Sequence, residues 1–500
     1  MTRWISRFPD RAAAAFLIGF AGVWWCASAL SQATLPLDMM EATAWGPGWQ
    51  LVYHKHPPLP AWVTEAVIVL FGRTDWVLMA LGPICVAITG WLVWYLARRL
   101  LDPIPALMAV GCCCSLYYTT LAAAEFNHNV ALYPAWTGLI VFGHGALKHG
   151  RVGSWLAVAV CAAIGVYTKY AIALPVLTLV LIALCDPRAR SVWRKPGPYV
   201  AGGVGVFLIA PHLWALWRGD FGPLRYAADR AHQATSWIDH LVFPLSFAGA
   251  QLLACSAVLM LVGLVRLSRP RAPVAAVQTP EPFDRRYIWL MTAGPLVLTM
   301  AGAAAIGQEA RSMWGSPMWA TLGLAALITV DRRRFTASGV RRWLIGFGVV
   351  SALFLVAFLI SNLFGAHITN RTDRVNWPAE AVAAAVERTW HSHAGEQPID
   401  VLAGPMWTAG AVAFYGEGRP PVLLNGDRRL SPWIDPALID NGHVLAVWWI
   451  RWDWQRDGTL PEWLESTGRT FAPLAPVEVP WGGQTGLPPV RIGMAVSDPG

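Results

Sequence analysis

The sequence predicts an all-α polytopic membrane protein that ends in a small soluble α/β domain. Of 500 residues, 55% are hydrophobic and only 14% are charged, where a soluble domain carries about 25% charged residues. Apolar runs of about 20 residues, the length that crosses a bilayer, recur through the first three-quarters of the chain. Charge is also unevenly divided. From Trp377 to Gly500 there are 8 Arg, no Lys and 14 Asp plus Glu, a net −6 within a whole-chain +8, so the remainder carries +14.

The expected spans are 12–30, 76–97, 104–123, 129–147, 153–167, 170–185, 198–217, 242–265, 287–305, 316–330 and 343–361, about eleven in all. The first run has no small-residue cleavage site before Ser31-Gln32, so it reads as a retained helix rather than a signal peptide. The 29 tryptophans suit a chain with many membrane–water boundaries.

Lys and Arg set the orientation. With the N-terminus in the cytoplasm, the inner segments hold 21 of them and the outer loops before residue 362 hold 7. Such a bias over short loops follows the positive-inside rule. An odd number of spans then places the tail in the periplasm of a bacterial inner membrane. The basic residues lie in short loops between apolar runs, which argues against nucleic-acid binding.

The expected division is a membrane domain, 1–361, with a long outer loop at 31–75, and a periplasmic domain, 362–500. Long ordered loops in compact proteins are usually functional. In the tail, 379–391 reads as a helix; 399–403, 421–424 and 444–450 read as strands, separated by helix or turn material such as 407–415. Residues 472–490, rich in Pro and Gly, read as irregular, and the Pro-rich inner loop 267–286 reads as a connector. All eight cysteines lie in or beside apolar runs and none in the tail, so the tail folds without disulfides. No spacing suggests a metal site.

Polar residues gather at the outer helix ends. Asp38 and Glu41 stand just beyond the first span, among apolar neighbours. At i, i+3 they share one helical face and suit a general base with a supporting acid; the alternative is a helix-start carboxylate satisfied by amide groups. Lys55 lies in Tyr53-His54-Lys55-His56-Pro57-Pro58, where paired prolines stiffen the backbone. There it meets a lipid phosphate, or simply snorkels. Glu125-Phe126-Asn127-His128-Asn129, Lys169 and Arg311 mark three further outer turns; taken singly, they are polar turns or interface anchors. Together, acids at two loops and cations at three suit an enzyme handling a phosphate-linked lipid donor. Cations would hold the phosphate and offset leaving-group charge, and a carboxylate would deprotonate the acceptor.

Asp38-x-x-Glu41 followed by Tyr53-x-Lys55-x-Pro57-Pro58-Leu59-x-Ala61-Trp62 resembles the first-loop signature of the glycosyltransferase 39/83 superfamily. This group includes protein O-mannosyltransferases, aminoarabinose transferases and rhizobial galacturonosyltransferase-like proteins, and the chain resembles the last most. The 125–129 and 168–170 turns and Arg311-x-x-Trp314-Gly315-x-Pro317 extend the likeness over about residues 12–361. The resemblance implies a GT-C fold, a polyprenyl-phosphate-linked sugar donor and inversion at the anomeric carbon.

It further implies Asp38 as catalytic base, Glu125 and Glu41 as supporting acids, and Lys55, Lys169 and Arg311 as phosphate-binding cations. Tyr53, His54, His56, Asn127 and His128 are expected to support the loop or the acceptor. The expected acceptor is a hydroxyl on lipid A, core oligosaccharide or another glycolipid. The superfamily admits a divalent metal, and the acidic tail is expected to bind the acceptor or cover the site. Three departures stand out: the usual adjacent Asp-Glu pair is opened to Asp38-x-x-Glu41, the second loop carries Glu125 instead of Asp, and His56 separates Lys55 from Pro57. Two rivals remain. A lipid-linked sugar flippase predicts polar groups at mid-membrane depth, and a non-catalytic scaffold predicts that Asp38→Asn is harmless.

Overall fold

The computed structural model describes residues 2–230, 232–270, 280–369, 374–450, 460–481 and 487–497. By length and composition, six described helices can cross a membrane: Pro9–Ser31, Asp75–Ala97, His128–His149, Gly197–Arg218, Pro282–Ile306 and Ala337–Thr369. Two bent pairs raise the number to as many as eight: Pro103–Cys113 with Tyr117–Ala124, bent by 80°, and Asp239–Ala254 with Ser256–Arg266, bent by 56°. Val152–Thr168 and Tyr170–Cys185 are apolar helices of shorter length at two more expected spans.

The span expected at 316–330 is not one helix. Ser312–Trp319 forms 3-10 turns around Pro317, and only Leu322–Leu327 is α-helical. Proline removes a backbone donor there, and the chain passes too close to Gln251 for a side chain at Gly315, whose Cβ would stand 2.1 Å from Gln251 Oε1. Gln251 ties the bend together. Its amide donates to the Ser312 carbonyl at 2.9 Å, and its Oε1 accepts from Tyr118 and Trp319, each at 3.0 Å. Residues 315–328 are buried, so their apolar character reflects a protein core. Within the connector expected at 267–286, residues 271–279 lie outside the described residues, and Pro282 already opens a helix at its first turn.

The chain forms two compact units. The first comprises 1–27, 55–59 and 80–357, the second 28–54, 60–79 and 358–500. This grouping cuts across a linear boundary at residue 361, because much of the first outer loop packs with the tail. The first unit is helical around one continuous core that includes Trp94, Trp136, Tyr133 and Tyr287.

The second unit contains a five-stranded sheet in the order β2-β1-β3-β5-β4. Its strands are β1 (Val401–Gly404), β2 (Val422–Leu424), β3 (Val444–Ile450), β4 (Ala472–Val479) and β5 (Val490–Ser497). β1 runs parallel to β2 and β3; β5 runs antiparallel to β3 and β4. With helices Ala379–Ala394 and Met406–Tyr415 this is the expected α/β domain. The expectation of irregular chain at 472–490 is corrected by β4. Its prolines are tolerated because it is an edge strand, and the pairing breaks register between Leu474 and Val477, around Pro476.

Candidate functional site

In the second unit, Asp38 and Glu41 stand on the helix Leu37–Trp45, which Pro36 opens. Asp38 lies in its first turn, where the helix dipole favours negative charge. Asp38 is half-buried and Glu41 is buried. The spacing puts them on one face, as expected.

Several contacts hold this helix. The Leu35 N–H before it donates to the Tyr415 hydroxyl at 3.1 Å. Gly410 on Met406–Tyr415 lets the two helices approach, since a Cβ there would stand 3.1 Å from Met40 Cγ. Arg419 donates to the Thr43 carbonyl at 2.9 Å and makes a two-pronged ion pair with Glu65, at 2.9 and 2.6 Å. Arg73 donates to the carbonyls of Ala413, Phe414 and Gly416, the free C-terminal acceptors of Met406–Tyr415.

Tyr53 is a pin for the loop. Its ring stacks on Trp45 at 4.8 Å, and its hydroxyl donates to the Trp45 carbonyl at 2.8 Å. Burial pushes the Tyr53 phenol well above its ordinary range, so it stays neutral. His54 meets the same Trp45 ring edge-on at 5.6 Å.

In the first unit, Lys55, His56, Asn127, His128 and Lys169 fall into one polar patch. The rings of His56 and His128 are 4.1 Å apart, and His128 Nε2 lies 3.2 Å from the Pro57 carbonyl. Asn127 caps the helix His128–His149 by accepting from the N–H groups of Asn129 and Val130, at 2.9 and 3.2 Å. That cap orients Asn129, whose Oδ1 accepts from Lys169 Nζ at 2.5 Å. Glu125 is half-buried in the turn just before the cap. Gly82 fixes the approach to that turn, because a Cβ on it would stand 2.0 Å from the Ala123 carbonyl oxygen.

Tyr226 and Arg230 extend the patch and were missed as site residues. Lys55 Nζ lies 5.9 Å from the centre of the Tyr226 ring, and His56 meets that ring edge-on at 5.8 Å. Arg230 donates to the Tyr226 hydroxyl at 2.8 Å, and its own carbonyl accepts from Arg311 at 3.2 Å. Tyr226 lies on the short helix Gly222–Asp229 and Arg230 directly follows it, four residues on; the sequence offers only that spacing, which is ordinary by itself. Among the described residues, no group of three or more His, Cys, Asp or Glu could hold a metal ion.

Residues 55–215 match the family model described as dolichyl-phosphate-mannose-protein mannosyltransferase. The chain is 23% identical over 274 residues to the lipid A galacturonosyltransferase RgtD of Rhizobium johnstonii, covering 54% of this chain and 55% of that one. It is 24% identical over 437 residues to the lipopolysaccharide core galacturonosyltransferase RgtA of the same organism, covering 83% and 82%. The fold matches the crystal structure of ArnT from Cupriavidus metallidurans bound to undecaprenyl phosphate, with a TM-score of 0.62 and 15% identity over 96% of this chain and 97% of that one. The apo form of that protein matches with a TM-score of 0.60 at 15% identity, over 97% and 98%.

Residues 55–215 thus resemble the mannosyltransferase family, and the chain as a whole has the fold of the ArnT structure.

The segment matching that family model includes Lys55, His56, Glu125, Asn127, His128 and Lys169, together with His212. Asp38, Glu41, Tyr53, His54 and Arg311 lie outside it.

Proposed function

We propose that the chain is a membrane glycosyltransferase of the bacterial inner membrane. It transfers a sugar from a polyprenyl-phosphate donor to a hydroxyl of lipid A, core oligosaccharide or another envelope glycolipid. The N-terminus is cytoplasmic, and the transfer takes place on the periplasmic side. One observation carries the reading: Lys55 and Lys169, named from different outer turns, belong to one patch through His56, His128 and Asn129. Cations on one patch at the ends of apolar helices suit a lipid-borne phosphate.

Asp38 takes the proton of the acceptor hydroxyl. The oxygen attacks the anomeric carbon from the face opposite the phosphate, forming a C–O bond with inversion. The bond from that carbon to the phosphate oxygen breaks, and its electron pair leaves on the polyprenyl phosphate. Lys55 and Lys169, with Arg311, neutralise the charge that develops there. Glu41 and Glu125 orient the acceptor or these cations. The names of the galacturonosyltransferases and the undecaprenyl phosphate of the ArnT crystal support the donor and acceptor classes.

The test is transfer by purified full-length protein with a polyprenyl-phosphate sugar and lipid A or core acceptors. Loss of transfer in Asp38→Asn with donor binding retained supports the reading. Full transfer in that variant removes Asp38 as the base. Donor translocation across vesicles without any transfer would favour the flippase.

A further inference from the structure

At the end of His128–His149 opposite Asn127, a cavity of about 340 Å³ opens among Tyr95, Arg99, His144, Lys148, Arg151 and Ser154. A helix of 22 residues is about 33 Å long, one hydrocarbon thickness. The cavity is therefore remote from the Lys55–Lys169 patch, and the reaction proposed above does not use it.

Its charges are not balanced. Asp284 accepts from Lys148 Nζ at 2.8 and 2.9 Å and contacts His144 Nε2 at 2.7 Å. Glu281 contacts Lys148 at 3.0 Å and also pairs with Arg188. These two carboxylates are thus taken up by Lys148, His144 and Arg188. Arg99 lies over the Tyr95 ring at 3.6 Å and bonds its hydroxyl; Arg151 is exposed. Neither guanidinium has a carboxylate partner among the described residues. Lys195 adds a further cation beside Gly150, at the C-terminus of the same helix. Cations near a helix C-terminus are favourable in themselves. A concave site with two guanidiniums, a hydroxyl and an apolar wall of Leu100 and Val141 asks for more than that.

We propose that this cavity binds a phosphate group through Arg99 and Arg151. Guanidinium forks match phosphate oxygens in geometry and charge, and basic pockets between membrane helices suit anionic headgroups. The phosphate arrives either on a phospholipid or free in solution, and these sources can be separated.

The experiment uses full-length protein in nanodiscs of phosphatidylcholine doped with phosphatidylglycerol, and native mass spectrometry of the lipid retained on extraction. A parallel arm follows thermal unfolding in detergent as inorganic phosphate is added. Wild-type protein is expected to retain phosphatidylglycerol over phosphatidylcholine, whose choline the guanidiniums repel. Arg99→Gln with Arg151→Gln should lower that retention about tenfold or more, the loss of roughly one charge-assisted contact. If inorganic phosphate also stabilises the wild type but not the variant, the site takes free phosphate as well. If only the lipid responds, it is a headgroup site. Because Arg151 is exposed, Arg151→Glu tests the same point should the double variant fail to fold. Retention and phosphate response equal to wild type in the folded variants would overturn the proposal.

Discussion

Arg419 places its two terminal nitrogens on the two carboxylate oxygens of Glu65, at 2.9 and 2.6 Å, and one of them also reaches the Thr43 carbonyl at 2.9 Å. Glu65 comes from the first outer loop and Arg419 from the tail, 354 residues later. Their side chains are 6% and 19% exposed. Removing one member of such a buried pair leaves a stranded charge and costs about 3–5 kcal/mol. Arg419→Ala is therefore expected to lower the melting temperature of the full-length protein and to open the second unit to protease. Arg419→Met with Glu65→Met should recover most of the loss. A wild-type melt in Arg419→Ala would contradict the clamp.

The same variant is expected to lower transfer. Thr43 sits on the helix that carries Asp38, and loosening that helix by about 1 Å costs up to roughly 100-fold in rate. The decisive readout is kcat at temperatures where the protein is still folded. An unchanged kcat there would separate the tail from the chemistry.

Arg73 supplies the missing donors at the end of Met406–Tyr415. Arg73→Ala leaves those carbonyls without it and should destabilise the second unit by about 1–3 kcal/mol. Arg73→Lys should recover part of this, since an ammonium still donates but lacks the planar fork. Chemical denaturation followed by tail tryptophan fluorescence reads the difference.

Gly82→Ala places a methyl group where the Ala123 carbonyl oxygen now stands. Overpacking against backbone costs typically about 1–3 kcal/mol. The displaced segment leads straight into Glu125, so a fall in transfer should accompany the lower melting temperature. Gly19→Ala, which meets nothing within 4 Å, serves as the control.

Lys55→Ala and Lys169→Ala should each lower kcat/KM for the donor by about 100-fold, the scale of one lost electrostatic partner of the leaving group. Because both belong to one patch, the double variant should fall short of the product of the singles. Steady-state kinetics against donor concentration measures this, and strict multiplicativity would mean that the two lysines act independently.

Much of this was legible in the sequence because membrane helices declare themselves by long apolar runs, as in Pro9–Ser31 and Ala337–Thr369. The 316–330 run was misleading for the same reason: an apolar segment buried against protein reads like one facing lipid. Strand β3 was legible from a run of apolar residues, whereas β4 was hidden by prolines that only its edge position allows. Lys55, Asn127 and Lys169 stood out as polar residues between apolar runs. Tyr226 did not, because a tyrosine near an interface is ordinary until its neighbours are known. The Arg419–Glu65 pair joins residues too far apart in the chain for any local pattern to reveal.

The central claim is tested most directly by mass spectrometry of envelope glycolipids from cells carrying wild-type protein, a deletion or Asp38→Asn. General-base catalysis contributes roughly 10²- to 10⁴-fold, so one sugar-sized mass increment should vanish in the deletion and fall to trace level in Asp38→Asn. An increment lost in the deletion but intact in Asp38→Asn, with the protein present at normal abundance, would contradict the assignment of Asp38 and move transport or scaffolding ahead of transfer.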